Sequence, residues 1–113
     1  MELDFALLWV VIGGFLEPVW VIGLKKYNDT RSLLWGAVAV AFMFISPMFI
    51  AFSMEDGMSV GVAYSIWTGI GSISTIIAGM LLYKERLERV KVVFVTLIII
   101  GIVGLELSSE LGI

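Results

Sequence analysis

The sequence has no cysteine, no histidine, only two prolines and few charges: 15% of its 113 residues are Asp, Glu, Lys or Arg. Each scarcity excludes something. Without Cys or His, disulfides, the common zinc, haem and iron–sulfur ligand sets, and Ser-His or Cys-His nucleophile pairs are out of reach. No metal or cofactor is expected, and no enzyme activity. A net charge of −3 and a pI near 4.7 leave no basic footprint for nucleic acid. What fills the chain instead is apolar, with 60% of residues from AVILMFWYC and a mean hydropathy of +1.07. Soluble domains average about 45–50% apolar and about 25% charged residues, so this chain carries more apolar surface than one small core can hide. It reads as a membrane protein.

A helix rises about 1.5 Å per residue and the hydrocarbon layer is about 30 Å thick, so a span needs roughly 20 mostly apolar residues. Four stretches qualify, which predicts an all-α membrane protein, one domain over 1–113 with helices near 5–24, 33–52, 57–83 and 90–107. Period-2 alternation is absent, which argues against a β-barrel. The first stretch opens with Glu2 and Asp4 rather than the basic region of a secretory signal, so it is expected to be retained. All seven basic residues fall in two connections. Lys25, Lys26 and Arg31 follow the first span; Lys84, Arg86, Arg89 and Lys91 follow the third. The opposite side carries Glu2, Asp4, Glu55, Asp56, Glu106 and Glu110. Lys and Arg resist translocation, so loops 25–32 and 84–91 are predicted to be cytoplasmic and both termini external.

Glu17 lies inside the first span, with twelve uncharged residues before it and seven after. An acid at that depth costs several kcal/mol, so intramembrane acids face a bundle interior or a water cavity and are functional by default. Gly13 and Gly14 lie one turn before it and Trp20 one turn after, on neighbouring positions of the same side. Pro18 lacks an N–H and presses on the carbonyl of Gly14, which bends the helix where the acid sits. In the second span Ser46-Pro47 brings a hydroxyl and a freed carbonyl, that of Met43, to one level. The third span reads GVAYSIWTGIGSIST from Gly61 to Thr75. Tyr64, Trp67, Thr68 and Gly71 share a face there, and Gly69 and Gly71 mark a candidate hinge. Gly101 and Gly104 of the fourth span are candidates for packing against another helix, including that of a second subunit. A carboxylate flanked by aromatics and hydroxyls can hold either a proton or a small cation. Four helices are too few both to enclose such a cavity and to rearrange around it, which implies an oligomer.

With these features the chain resembles the small multidrug resistance family of four-helix exporters. The resemblance rests on the lone Glu17 in the first helix, Gly14 three positions before it, Lys25 at that helix's end, and GVAYSIWTGIG in the third. Glu17-Pro18-Val19-Trp20 followed by VIGLK is similar to the guanidinium-exporter branch, where a Trp stands three residues after the Glu. The resemblance implies that Glu17 is the shared proton and substrate site, with Trp20 and Ser46 as hydrogen-bond partners orienting its carboxylate. It makes Tyr64 and Trp67 cavity-lining aromatics and Gly14 the small residue beside the site. Pro18 and Pro47 depart from the commonest family pattern. The resemblance also implies an antiparallel dimer in a bacterial plasma membrane. A homodimer of that kind needs a chain that inserts both ways, which a one-sided distribution of all seven basic residues opposes. The expectation is therefore a heterodimer with a homologous subunit of opposite orientation.

The function expected is proton-coupled export of guanidinium or small guanylated cations by one half of that heterodimer. The alternatives are a subunit exporting quaternary ammonium or polyaromatic drug cations, and a non-transporting membrane scaffold. The charge pattern makes a direct prediction. A topology reporter fused to the C-terminus of the chain expressed alone should be found outside in nearly all molecules; comparable inside and outside populations would overturn the orientation and the heterodimer with it.

Overall fold

The computed structural model describes residues 3–112 and, among them, four helices and no strand. Glu2, one of the acids expected on the outer face, lies outside the described residues, as do the side chains of Asp4 and Glu110. The helices are α1 (Leu3–Thr30), α2 (Leu33–Glu55), α3 (Val60–Tyr83) and α4 (Arg89–Leu111). Each is long and apolar enough to cross a bilayer. The protein is an all-α, multi-pass membrane protein.

The helix ends differ from the sequence expectation for local reasons. α1 continues through the predicted loop 25–32, leaving only Arg31 and Ser32 between it and α2. Arg31 takes a left-handed φ of 57° and donates its N–H to the Tyr27 carbonyl at 2.7 Å. Thr30 Oγ1 donates to the Lys26 carbonyl at 2.6 Å and accepts from Ser32 N–H at 3.2 Å, so side-chain bonds replace the helix ladder at the turn. α3 begins at Val60 rather than at 57, because Gly57 has φ +103°, outside the helical range. Ser59 then caps α3, its hydroxyl accepting from Val62 N–H at 3.4 Å. Lys84, at φ 54°, closes α3.

α1 lies between α2 and α3, while α4 rests on α3 alone. Small residues set this arrangement, since close helix approach in a membrane is gained by van der Waals packing rather than by the hydrophobic effect. A β-carbon at Gly13 would lie 2.7 Å from Phe49 Cβ and 2.9 Å from the Ser46 carbonyl oxygen; one at Gly14 would lie 2.8 Å from Ile70 Cβ. The two neighbouring glycines thus let α1 approach α2 on one side and α3 on the other. Ala6, Val10, Met58, Ala63 and Ile66 form the buried cluster. The large side chains that a soluble core would hide, such as Leu33, Phe44 and Ile100, point outward.

At the end opposite the basic residues, the α2–α3 connection is fastened to α1. The Trp9 indole donates to Asp56 Oδ2 at 2.8 Å, and its ring packs on Phe49 and Phe52 at 5.8 and 5.4 Å between centroids. The Ser53 hydroxyl donates to the Ala6 carbonyl. No residue of α4 is buried among those described.

Candidate functional site

Glu17 projects from α1 onto the backbone of α3 at Gly71, where a β-carbon would overlap its carboxylate. Any larger residue at position 71 would evict the acid. Gly71 is therefore the counterpart of Glu17, a clearance cut for a side chain rather than a break in the helix. α3 runs unbroken through Gly69 and Gly71. Gly69 faces the other way, against Ile98 and Ile102 of α4. Both glycines proposed as a hinge are thus points of close approach, to two different helices.

The Glu17 side chain is half-buried, and its Oε2 is screened from solvent with no hydrogen-bond partner among the described residues. Buried polar atoms in proteins are almost always paired, and an unpaired one in a low-dielectric site is costly. An unfilled acceptor of this kind is what a cation or proton site needs. Two hydroxyl oxygens on α3, Thr68 Oγ1 and Thr75 Oγ1, are also buried without partners. They lie three residues before and four after Gly71, on neighbouring positions of α3. Among the described residues no group of three His, Cys, Asp or Glu could hold a metal ion.

Pro18, itself buried, has no N–H, so the carbonyl of Gly14 four residues earlier loses its helical donor. In hydrocarbon such a group must be satisfied from elsewhere. The Ser74 hydroxyl stands 3.2 Å from the Gly14 oxygen, and 2.7 and 3.1 Å from the carbonyls of Ile70 and Gly71 in its own helix. One proton thus serves three acceptors, one of them across the α1–α3 seam. Sequence reasoning did not single out Ser74. The signal was present: an orphaned carbonyl in α1 demanded a donor, and Ser74 follows Trp67 by seven residues on one face of α3.

One turn toward the opposite end, the Trp67 indole N–H donates to Ser46 Oγ at 3.0 Å, and Ser46 Oγ–H donates to the Gly13 carbonyl at 2.7 Å. This buried relay joins α3, α2 and α1. It also corrects the expected bonding of Ser46, whose single proton is committed to Gly13, so that within this chain it does not orient Glu17. Trp20 does not either: its ring is half-buried and its N–H has no partner among the described residues. Tyr64 stacks at a tilt on Trp67, 5.9 Å between centroids, and is 56% exposed. Gly14, one turn before the acid, is buried against Ile70. A β-carbon at Gly101 or Gly104 would meet nothing within 4 Å, and Gly101 borders an open groove between α3 and α4.

Four membrane-crossing helices, with one half-buried acid of α1 seated against α3, define a small polytopic membrane protein with an intramembrane carboxylate. The profile of the family described as Small Multidrug Resistance protein matches residues 5–98. The chain belongs to that family, which places it among transporters rather than enzymes. It is 37% identical over 104 residues to a guanidinium exporter of Escherichia coli K12, and 38% identical over 104 residues to guanidinium exporters of Citrobacter freundii and Salmonella typhimurium. Each match covers 90% of this chain and 98% of the relative.

The Ser74 bond across the seam gives a measurable expectation. Ser74→Ala should lower unfolding stability in mixed micelles by about 0.6 kcal/mol, with an upper bound near 2 kcal/mol. Ser72→Ala, whose hydroxyl bonds only to the Thr68 carbonyl within α3, should be near neutral. Equal effects in the two variants would remove the interhelical role from Ser74.

Proposed function

We propose that this chain is one subunit of an exporter of guanidinium or small guanylated cations, in which Glu17 binds the cation and protons in turn. The observation that carries the reading is the carboxylate seated over Gly71 with a buried oxygen left unpartnered. A carboxylate in a low-dielectric site is stable either as the neutral acid or paired with a cation, and a single group cannot hold both well. If the site faces the two sides in turn, that competition alone couples proton entry to cation exit.

Guanidinium fits this acceptor because it is planar, permanently charged and offers paired N–H groups to a carboxylate. Stacking on Trp20, Trp67 or Tyr64 would add cation–π attraction of about 0.5–2 kcal/mol. The guanidinium-exporter relatives support this choice of cargo. The half-buried Trp20, one turn from Glu17, favours a small cation over quaternary ammonium or polyaromatic drugs by narrowing the space beside the acid. A scaffold without transport would have no use for an acid kept unpaired in hydrocarbon.

The active unit is an antiparallel heterodimer in the plasma membrane, with loops 1 and 3 of this chain cytoplasmic and its termini external. Its partner is a homologous subunit inserted the other way, carrying its Lys and Arg at its termini and second loop. The basis is the one-sided distribution of the basic residues. Glu17 and its counterpart in the partner then titrate as a coupled pair. α4, with Gly101 and Gly104 uncovered, supplies packing surface for that dimer.

The test is co-reconstitution with the partner into vesicles and measurement of proton movement driven by a guanidinium gradient. Glu17→Gln should abolish the coupled flux while leaving the assembled protein intact by size-exclusion chromatography. Undiminished flux in that variant would sink the mechanism, and equal flux driven by tetraethylammonium would sink the narrow choice of cargo.

A further inference from the structure

Oε2 of Glu17 is screened from solvent, so no space the size of a water molecule borders it, and no donor reaches it among the described residues. It rests on the α3 backbone at Gly71, and the three atoms that a β-carbon there would meet first all belong to Glu17. The hydroxyls of Thr68 and Thr75, on neighbouring positions of α3, are themselves unpartnered, so neither donates to it. The helices packed against α1 offer no countercharge within the membrane. α2 has no charged residue before Glu55, and α3 has none from Val60 to Tyr83, its titratable groups being Tyr64 and Tyr83. On α1 itself the next charge is Lys25, at the end of the span.

An ionised oxygen in that place would lack every hydrogen bond a carboxylate demands, in a medium where an unpaired charge costs most. A neutral acid fits, because its proton needs no added volume and its carbonyl oxygen carries far less charge. A guanidinium does not fit. It binds a carboxylate through two parallel N–H···O bonds of about 2.7–2.9 Å, and Oε2 has no room beside it for either N–H group.

We propose that Gly71 is a seat for the protonated acid alone, and that the cation is held by the same carboxylate lifted off α3. This rests on the reading of Glu17 as the shared site and adds that its two ligands are held in two places. Loading the cation is then a displacement. The proton leaves for water, the side chain swings away from Gly71, and both oxygens turn to the paired N–H groups of the guanidinium. One ligand excludes the other by shape as well as by charge. Gly71 is a positioning residue in this scheme, acting only through Glu17.

Solid-state NMR of the complex with its partner in lipid vesicles, with carbon-13 in the Glu and Gly residues of this chain alone, tests the scheme. Glu85 also lies against a glycine, Gly79, so the spectrum of Glu17→Gln identifies which signals are Glu17's. In acid without substrate, the Glu17 carboxyl carbon should show the shift of a neutral acid and a cross-peak to Gly71 Cα. Saturating guanidinium should move it to the carboxylate shift and abolish the cross-peak. Gly71→Ala, whose methyl meets Glu17 before any other group, should lack the seated signal and bind guanidinium more tightly, because the acid no longer has to be lifted. A carboxylate shift with the cross-peak retained under guanidinium would overturn the seat while leaving the shared site standing. A neutral acid without contact to Gly71 would overturn it too, as would weaker guanidinium binding in assembled Gly71→Ala. Glu17 signals unmoved by guanidinium, in a sample that demonstrably binds it, would instead remove Glu17 as the cation site.

Discussion

A carboxylate in hydrocarbon has to be given a place, and the geometry around Glu17 follows from that one requirement. The acid is half-buried against α3, where only a residue without a side chain leaves room for it. The same economy of atoms recurs one turn earlier, where Gly13 and Gly14 bring α1 against both neighbours. In water these contacts would be gained by burying apolar surface. In lipid, packing and interhelical hydrogen bonds have to supply the attraction, so glycine and serine take the places that leucine and isoleucine hold in a soluble core.

The interhelical bonds are not scattered. Ser46, Ser53 and Ser74 each donate across a seam to a backbone carbonyl of α1, those of Gly13, Ala6 and Gly14. α1 is therefore tied over its first half by hydroxyls from both neighbours, and two of the three ties lie one turn before Glu17. Pro18 explains one of them, since the carbonyl it leaves without a donor is the one Ser74 approaches. A proline beside a buried acid would weaken a lone helix; here the helix opposite repairs the defect.

Composition alone makes four spans legible, because hydrocarbon thickness dictates their length and no charge but Glu17 interrupts the first three. Glu17, Gly14 and Trp67 stand out as candidate site residues for the same reason: polar and small residues are conspicuous where everything else is apolar. The pairing of Glu17 with Gly71 was not legible. When every face of a helix is apolar, periodicity does not reveal its rotation about its own axis, so Gly69 and Gly71 looked alike although they face α4 and α1 respectively. The bonding of Ser46 was missed because the residue type allows several acceptors, and only the placement of Gly13 decides among them. The end of α1 was misplaced because charged residues at 25 and 26 mark the edge of the bilayer, whereas the helix itself stops only when Arg31 turns left-handed.

The fastening of the α2–α3 connection to α1 through Trp9 and Asp56 has a mechanical consequence. α1 and α2 are held at both ends, by Trp9, Asp56 and Ser53 at one and by the two-residue turn with Tyr27 against Gly36 at the other. The pair is therefore a closed hairpin with no free end, and Glu17 lies between its two fastenings.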